Sequence, residues 1–291
     1  MLTLLACAGT SSSPKPVQVP AGLADRLDLS YGPDPLQTLD VFFPVAGTPI
    51  RGTIITVHGG GWVGGDKADV RDYCRYVAAN LGGVVVNCNY RLASPTGTNG
   101  ITVTSMLDDI DRVKAYLAVH ETELFCDSKR LALVGFSAGG HLALMNSLSR
   151  NGNATGSGSP TVKVCASFSG PTDLSDPDLH DNVIGIYTGL QLVQSLTGLV
   201  WNPGLPTTVD YYRAYSPRFR VAEANAAFLV VHGEADSIVP FGQAAAFAAN
   251  LQSSGKSVIL RSSPTDGHDL ATLLIPTTLA DLKALFDSAL K

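Results

Sequence analysis

Polar and apolar positions along the chain follow two rhythms. Residues 26–31 and 37–43 alternate one by one, as half-buried strands do, and Gly32-Pro33-Asp34-Pro35 between them predicts an antiparallel edge hairpin. From Gly52 onward the pattern changes. Residues 53–57, 84–88, 131–134, 162–168 and 228–231 are short β-rich runs of nearly continuous apolar character, and 258–260 adds a final one. Such runs suit parallel strands covered on both faces. Helical spacing fills the gaps at 70–81, 103–119, 138–148, 241–251 and 273–290; the second of these places Met106, Leu107, Ile110, Val113 and Leu117 on one face. Strand and helix in alternation predict an α/β fold, a mostly parallel eight-stranded sheet flanked by helices. No linker interrupts it, so residues 21–291 read as one domain.

One segment breaks the rhythm. Residues 171–225, between strands 6 and 7, carry Gly, Pro, Tyr and Trp201, with helical spacing around 184–196. Connections of that length in a compact domain tend to be lids or binding elements. An insertion over the functional site is therefore expected.

Composition narrows the classes. Apolar residues make up 45% of the 291 and charged residues 15%, enough for a large core and too apolar for a disordered chain. With 20 basic and 25 acidic side chains the net charge is −5, which leaves no basic footprint for nucleic acid. No interior stretch is apolar over the roughly 20 residues that a membrane-spanning helix needs. At the N-terminus, Leu4-Leu5-Ala6-Cys7 resembles a lipobox, and a polar stretch to Pro20 follows as a tether would. Residues 1–20 are thus expected to be a lipobox-like start and flexible tether. Lipidation of Cys7 would anchor the protein to a membrane, in the cell envelope or secreted. Only six residues precede Cys7, with no basic region; if Met1 is the true start, a cytoplasmic location is expected instead. Cys88 and Cys165 lie in apolar runs and read as small hydrophobes, while the pairing of Cys74, Cys88, Cys126 and Cys165 stays open.

Three motifs carry chemistry. Gly135-Phe136-Ser137-Ala138-Gly139 follows an apolar strand and opens a helix, the context that a G-x-S-x-G nucleophile elbow requires; the bland alternative is a glycine-rich turn with an incidental serine. His58-Gly59-Gly60-Gly61-Trp62 ends an earlier strand, and its glycines allow backbone amides to approach an oxygen closely. With the amide of Ala138, those of Gly60 and Gly61 are the candidate oxyanion donors. His232-Gly233-Glu234-Ala235-Asp236 ends a buried strand, and Asp266-Gly267-His268-Asp269 follows the last one. Acid then histidine is the chain order such elbows use, which makes Asp236 the candidate orienting acid and His268 the candidate general base. Asp173 is the competing acid. Of the other histidines, His58, His141 and His232 read as structural, and His120 and His180 as exposed. The chemistry asks for no metal or organic cofactor, and no metal-ligand cluster is present in the sequence.

These motifs, with Gly65-Asp66-Lys67, Asn89-Tyr90-Arg91-Leu92 and Ser169-Gly170-Pro171-Thr172-Asp173-Leu174, resemble the bacterial α/β-hydrolase carboxylesterases. The branch with bifunctional feruloyl and acetyl-xylan esterases is the most similar; hormone-sensitive-lipase-like esterases and kynurenine formamidases are near relatives. The resemblance runs from about Tyr31 to the C-terminus and implies serine esterase chemistry through an acyl-enzyme. It implies short-chain or aromatic acyl esters as substrates, feruloyl or acetyl esters of plant polysaccharide among them. A formamidase-type amidase and a non-catalytic binding module on the same fold are the alternatives. After Arg91-Leu92 the chain reads Ala93-Ser94-Pro95, departing from the Ala-Pro of the lipase-like group. Trp62 is a candidate for the acyl side of the pocket. Trp201, Tyr187, Tyr211 and Tyr212 are candidates for the alcohol side, or for packing within the insertion.

Overall fold

The computed structural model describes residues 19–151, 160–270 and 277–289; Cys7 and most of the expected tether lie outside them. β1 (Arg26–Ser30) and β2 (Thr38–Phe42) form the antiparallel edge hairpin. β3 (Thr53–Val57), β4 (Val84–Cys88), β5 (Leu131–Phe136) and β6 (Val162–Phe168) follow the apolar runs. Every residue of β3 and β4 is buried, as strands covered on both faces must be. After the insertion come β9 (Ala227–Gly233) and β10 (Val258–Ser263), and the eight strands lie in the order β1-β2-β4-β3-β5-β6-β9-β10. From β4 to β10 all pairings are parallel.

Side-chain alternation builds two cores from one sheet. Ile54, Val85, Val134 and Ala166 pack on one face against Cys74, Val77 and Leu81 of α1 (Arg71–Leu81) and Leu282 and Phe286 of α9 (Thr277–Ala289). Ile55, Val86, Leu133 and Cys165, one residue along, pack on the other against α2 (Val103–Val119), α4 (Ala138–Ser149) and α8 (Phe241–Ser253). The single turn α3 (Glu121–Leu124) follows α2. The spacing at 273–290 predicts a longer final helix than α9; residues 271–276 and 290–291 lie outside the described ones.

The insertion corrects one expectation. Helical spacing at 184–196 predicts a helix there, yet α6 spans Gly189–Thr197 and Ile184 belongs to a small hairpin, β7 (Val183–Ile184) with β8 (Tyr187–Thr188). Thr188 accounts for the late start: its hydroxyl accepts from the Gln191 amide while the Gln191 side chain reaches back, a reciprocal N-cap. α5 (Pro177–Asp181) precedes the hairpin and α7 (Pro206–Ala214) follows α6.

The four described cysteines are free and buried, and burial pushes each thiol up to about 12. No described helix is long and apolar enough to cross a membrane.

Chain order places the functional edge. From β3 the chain steps to β4 on one side and then crosses to β5 on the other, so strand order reverses between β3 and β5. Loops leaving the C-terminal ends of two such strands part to opposite faces and leave a crevice. One buried charge anchors the approach to it. Asp109, fully buried on α2, accepts from Gln37 Nε2 (2.7 Å), the Arg91 amide (2.9 Å) and Arg91 Nη2 (2.8 Å). Asp109→Ala is expected to lower stability by about 3–5 kcal/mol, since it strands these donors; urea unfolding that shows a loss below about 1 kcal/mol would contradict this anchor.

Candidate active site

β5 ends at Phe136, α4 begins at Ala138, and Ser137 makes the whole reversal with φ 51° and ψ −119°. The flanking glycines are there for space. A Cβ on Gly135 would lie 2.1 Å from the Gly139 carbonyl oxygen, and one on Gly139 would lie 2.2 Å from Val57 O and 2.3 Å from His58 O. Only glycine lets β5, α4 and the end of β3 meet this closely. The Ser137 amide donates to Phe168 O (2.7 Å) and its carbonyl accepts from the His141 amide (3.1 Å).

The chain then brings together three side chains far apart in sequence. His268 Nε2 lies 2.9 Å from Ser137 Oγ, and His268 Nδ1 lies 2.8 Å from Asp236 Oδ2. A carboxylate only accepts, so Nδ1 carries the proton and Nε2 is left to accept from the serine hydroxyl. Asp236 Oδ1 accepts from the amides of Ile238 (2.8 Å) and Val239 (2.9 Å). Burial opposes the Asp236 charge, but hydrogen bonds from His232, His268 and the Val239 amide outweigh it and hold the carboxyl well below the usual carboxylate range. Ser169, itself at φ 51°, donates from its hydroxyl to His268 O (3.0 Å) and ties down the histidine loop.

The glycine loop faces this set. Gly60, Gly61 and Trp62 have φ of 112°, 59° and 65°. Among the described residues, no acceptor meets the amides of Gly60, Gly61 or Ala138. The loop is held from behind by the Asn89-Tyr90 pair. Asn89 Oδ1 accepts from the Lys67 amide (2.6 Å), Asn89 Nδ2 donates to Asp66 Oδ2 (2.8 Å), and Tyr90 OH donates to His58 O (3.2 Å). His58 bonds Gly59 O through Nδ1 (2.7 Å) and stacks on Tyr90.

Ser137 and His268 open onto a cavity of about 270 Å³. Gly60, Gly61, Trp62 and Ala138 form one side of it. Pro171, Leu179, Ile184, Gly189, Leu192 and Val193 of the insertion, and Ile238 and Val239 beyond the acid, form the rest. The insertion thus covers the site, and its aliphatic side chains line the cavity. The helical spacing at 184–196 took in Ile184, Leu192 and Val193 without showing that they meet the site.

Of the two readings open for the aromatic candidates, the structure shows packing within the insertion, and one histidine expectation is corrected. Trp201 does not line the cavity; it packs against His180 (ring centroids 4.9 Å apart) and Tyr212 (4.8 Å). Tyr187, Tyr211 and Tyr212 are likewise absent from its walls, and the Tyr212 hydroxyl donates to Leu199 O (2.7 Å) inside the insertion. His180 is buried rather than exposed, with Nε2 2.7 Å from Leu174 O, because the aromatic cluster closes over it. Asp173 is engaged by Ser175 (2.6 Å) and Arg218 (3.3 Å), leaving Asp236 as the acid on His268. His141 bonds Tyr215 O (2.8 Å), joining the elbow helix to the insertion, and burial pushes its imidazole down to about 4.

The BD-FAE family model matches residues 39–251. Esterase LipQ of Mycobacterium tuberculosis is 28% identical over 269 residues, 89% of this chain and 61% of its own length. The chain spans about three fifths of the length of Esterase LipQ and of Esterase LipC from the same organism. The bifunctional GH43-CE protein of Bacteroides eggerthii superposes with a TM-score of 0.75 at 21% identity, over 92% of this chain and 35% of that one. Esterase B of Lactobacillus rhamnosis, in a structure with a tributyrin phosphonate, gives 0.70 at 21% identity, over 94% and 87%. At these identities the structural likeness is one of fold.

The close approach at the elbow makes a direct prediction. Gly139→Ala is expected to destabilise the protein by more than about 2 kcal/mol, or to prevent soluble expression, because the clash is with backbone that has no room to move. A soluble variant with the wild-type unfolding midpoint would show that the elbow is looser than described.

Proposed function

We propose that this chain, which belongs to the BD-FAE family, hydrolyses carboxylic esters of short acyl groups through an acyl-enzyme on Ser137. The observation that carries the reading is the relay from Ser137 through His268 to Asp236, set at the mouth of an apolar cavity beside three unengaged amides. His268 Nε2 takes the hydroxyl proton as Ser137 Oγ attacks the ester carbonyl carbon. Charge that develops on the carbonyl oxygen meets the amides of Gly60, Gly61 and Ala138, the last at the positive end of α4. The imidazolium returns its proton to the leaving alkoxide. A water molecule, deprotonated by the same nitrogen, then cleaves the acyl-enzyme and restores Ser137.

Cavity chemistry favours the acyl choice. Among the described residues, beyond Ser137 and His268, the only polar side-chain atom on the walls belongs to Trp62, whose indole nitrogen is buried. A feruloyl ring would set its hydroxyl and methoxyl against aliphatic carbon, with a desolvation penalty and no partner. Acetyl to butyryl groups meet no such conflict, and the tributyrin phosphonate in Esterase B is of that length. With p-nitrophenyl esters, kcat/KM is expected to peak between acetate and butyrate and to fall about tenfold or more by octanoate. Methyl ferulate turned over faster than these would overturn the acyl assignment. Ser137→Ala is expected to lose about 10⁴-fold or more in kcat and all labelling by a fluorophosphonate; an unchanged rate would overturn the reaction class.

The pH profile follows from the same geometry. His268 accepts the serine proton only while Nε2 is bare, so activity falls on the acid side as the imidazole gains a proton. Asp236, held well below the usual carboxylate range, stays ionised throughout that fall. Asp236 therefore contributes no ionisation to the acid limb, and Asp236→Asn is expected to lower kcat by about 10³–10⁴-fold. A rate that does not fall toward acid pH would remove His268 from its role.

A further inference from the structure

His232 lies on β9, four residues before Asp236, and takes no part in the proton transfers above. Its ring is fully buried. Nε2 is 2.9 Å from Val239 O and 3.1 Å from Asp236 Oδ2, both of them acceptors. Nε2 therefore carries the ring proton and shares it between the two. Nδ1 is buried and has no partner among the described residues, so a proton placed there would be left without an acceptor. Phe241 covers the ring, with centroids 6.1 Å apart.

The consequence falls on the carboxylate. Asp236 Oδ2 receives both His268 Nδ1 and His232 Nε2, and Oδ1 receives two amides. A carboxylate has about four acceptor positions, and here all are in use. With only the amides and His268, the group could still tilt about its Cβ–Cγ bond, and Oδ2 would leave the line of the His268 N–H. His232 grips that oxygen from a second direction.

We propose that His232 is a positioning residue for the reaction: its Nε2–H fixes Asp236 Oδ2 in line with His268 while the imidazolium forms and decays. The same N–H on Val239 O ties the acid turn back to β9, so the turn cannot relax away from the histidine loop. The kinetic consequence rests on the esterase reading above; the tautomer does not.

Two measurements on the full chain test the proposal. In the ¹⁵N-histidine-labelled protein, with His232→Gln used for assignment, the His232 signals are expected to be those of the Nε2-protonated tautomer; an Nδ1 proton would overturn it. In kinetics per fluorophosphonate-titrated site, His232→Met, which fills the space without a donor, is expected to lose about 10- to 100-fold in kcat with KM within about twofold. His232→Gln, whose amide N–H can reach the same oxygen, is expected to recover most of that loss. Met equal to wild type, or Gln no better than Met, would overturn the proposal. Normalising to labelled serine removes the contribution of misfolded protein. A wild-type protein that takes up no fluorophosphonate would mark failure of the esterase reading instead, and the tautomer measurement would still decide whether His232 donates to Asp236.

Discussion

Ser137 holds a backbone conformation that costs an L residue about 1–3 kcal/mol, and the surrounding structure imposes it. β5 must stop and α4 must start within one residue, at a point where Gly139 already touches the end of β3. No relaxed turn is that short. Hydrogen bonds to both sides of the Ser137 peptide, from β6 and from the first turn of α4, offset part of the strain. In return the hydroxyl stands clear of the sheet, and the Ala138 amide beside it is left without an acceptor. Nucleophile and one oxyanion donor come from the same distortion.

The second half of the oxyanion site depends on the first. The glycine loop leaves β3, the strand against which the elbow packs, and the reversal of strand order between β3 and β5 opens the crevice in which both sit. A loop with three consecutive positive φ values has little stiffness of its own. Stiffness reaches it through polar side chains on the neighbouring β4 exit, where Asn89 and Tyr90 hold Lys67, Asp66 and His58. Arg91, next in line, is locked to the buried Asp109. The amides are thus aimed by a chain of buried polar contacts that runs back into α2, and preorganisation of that kind gives dipoles their effect on a developing charge.

The parts legible in the sequence were those with a short-range signature. Period-two and continuous apolar runs gave every strand of the main sheet, and Gly-x-Ser-x-Gly needed only its flanking strand and helix to be read as an elbow. Ser137, Asp236 and His268 are 131 and 32 residues apart in their contacts, yet each sits at a strand end, so their meeting followed from the fold class. What stayed hidden had no local signal. Trp201 and Tyr212 look like pocket aromatics in one dimension, but their rings satisfy each other within the insertion. The two-residue hairpin in front of α6 is too short for any periodicity. His232 carried a usable clue, the four-residue spacing to Asp236 across a turn, but choosing between a partner and a bystander required the distance.

In the proposed reaction, catalysis and selectivity are joined at one turn. Ile238 and Val239 give their amides to Asp236 Oδ1 and their side chains to the cavity, while Val239 O accepts from His232. A substitution there that reshapes the acyl wall also shifts the donors that hold the acid, so it changes kcat along with acyl preference. Leu192 and Val193 are different. They reach the cavity from α6, whose hydrogen bonds stay within the insertion apart from one from Ser195 to Pro95 O, and do not touch Asp236 or His268. Gly61 limits that side only by packing, since a Cβ there would lie 3.0 Å from Leu192. On the proposed reading, a larger or smaller residue at 192 or 193 therefore alters acyl length with the relay intact. For the proposed esterase, the insertion is the part free to change what is bound, and the turn after β9 is the part that cannot change without disturbing how it is cleaved.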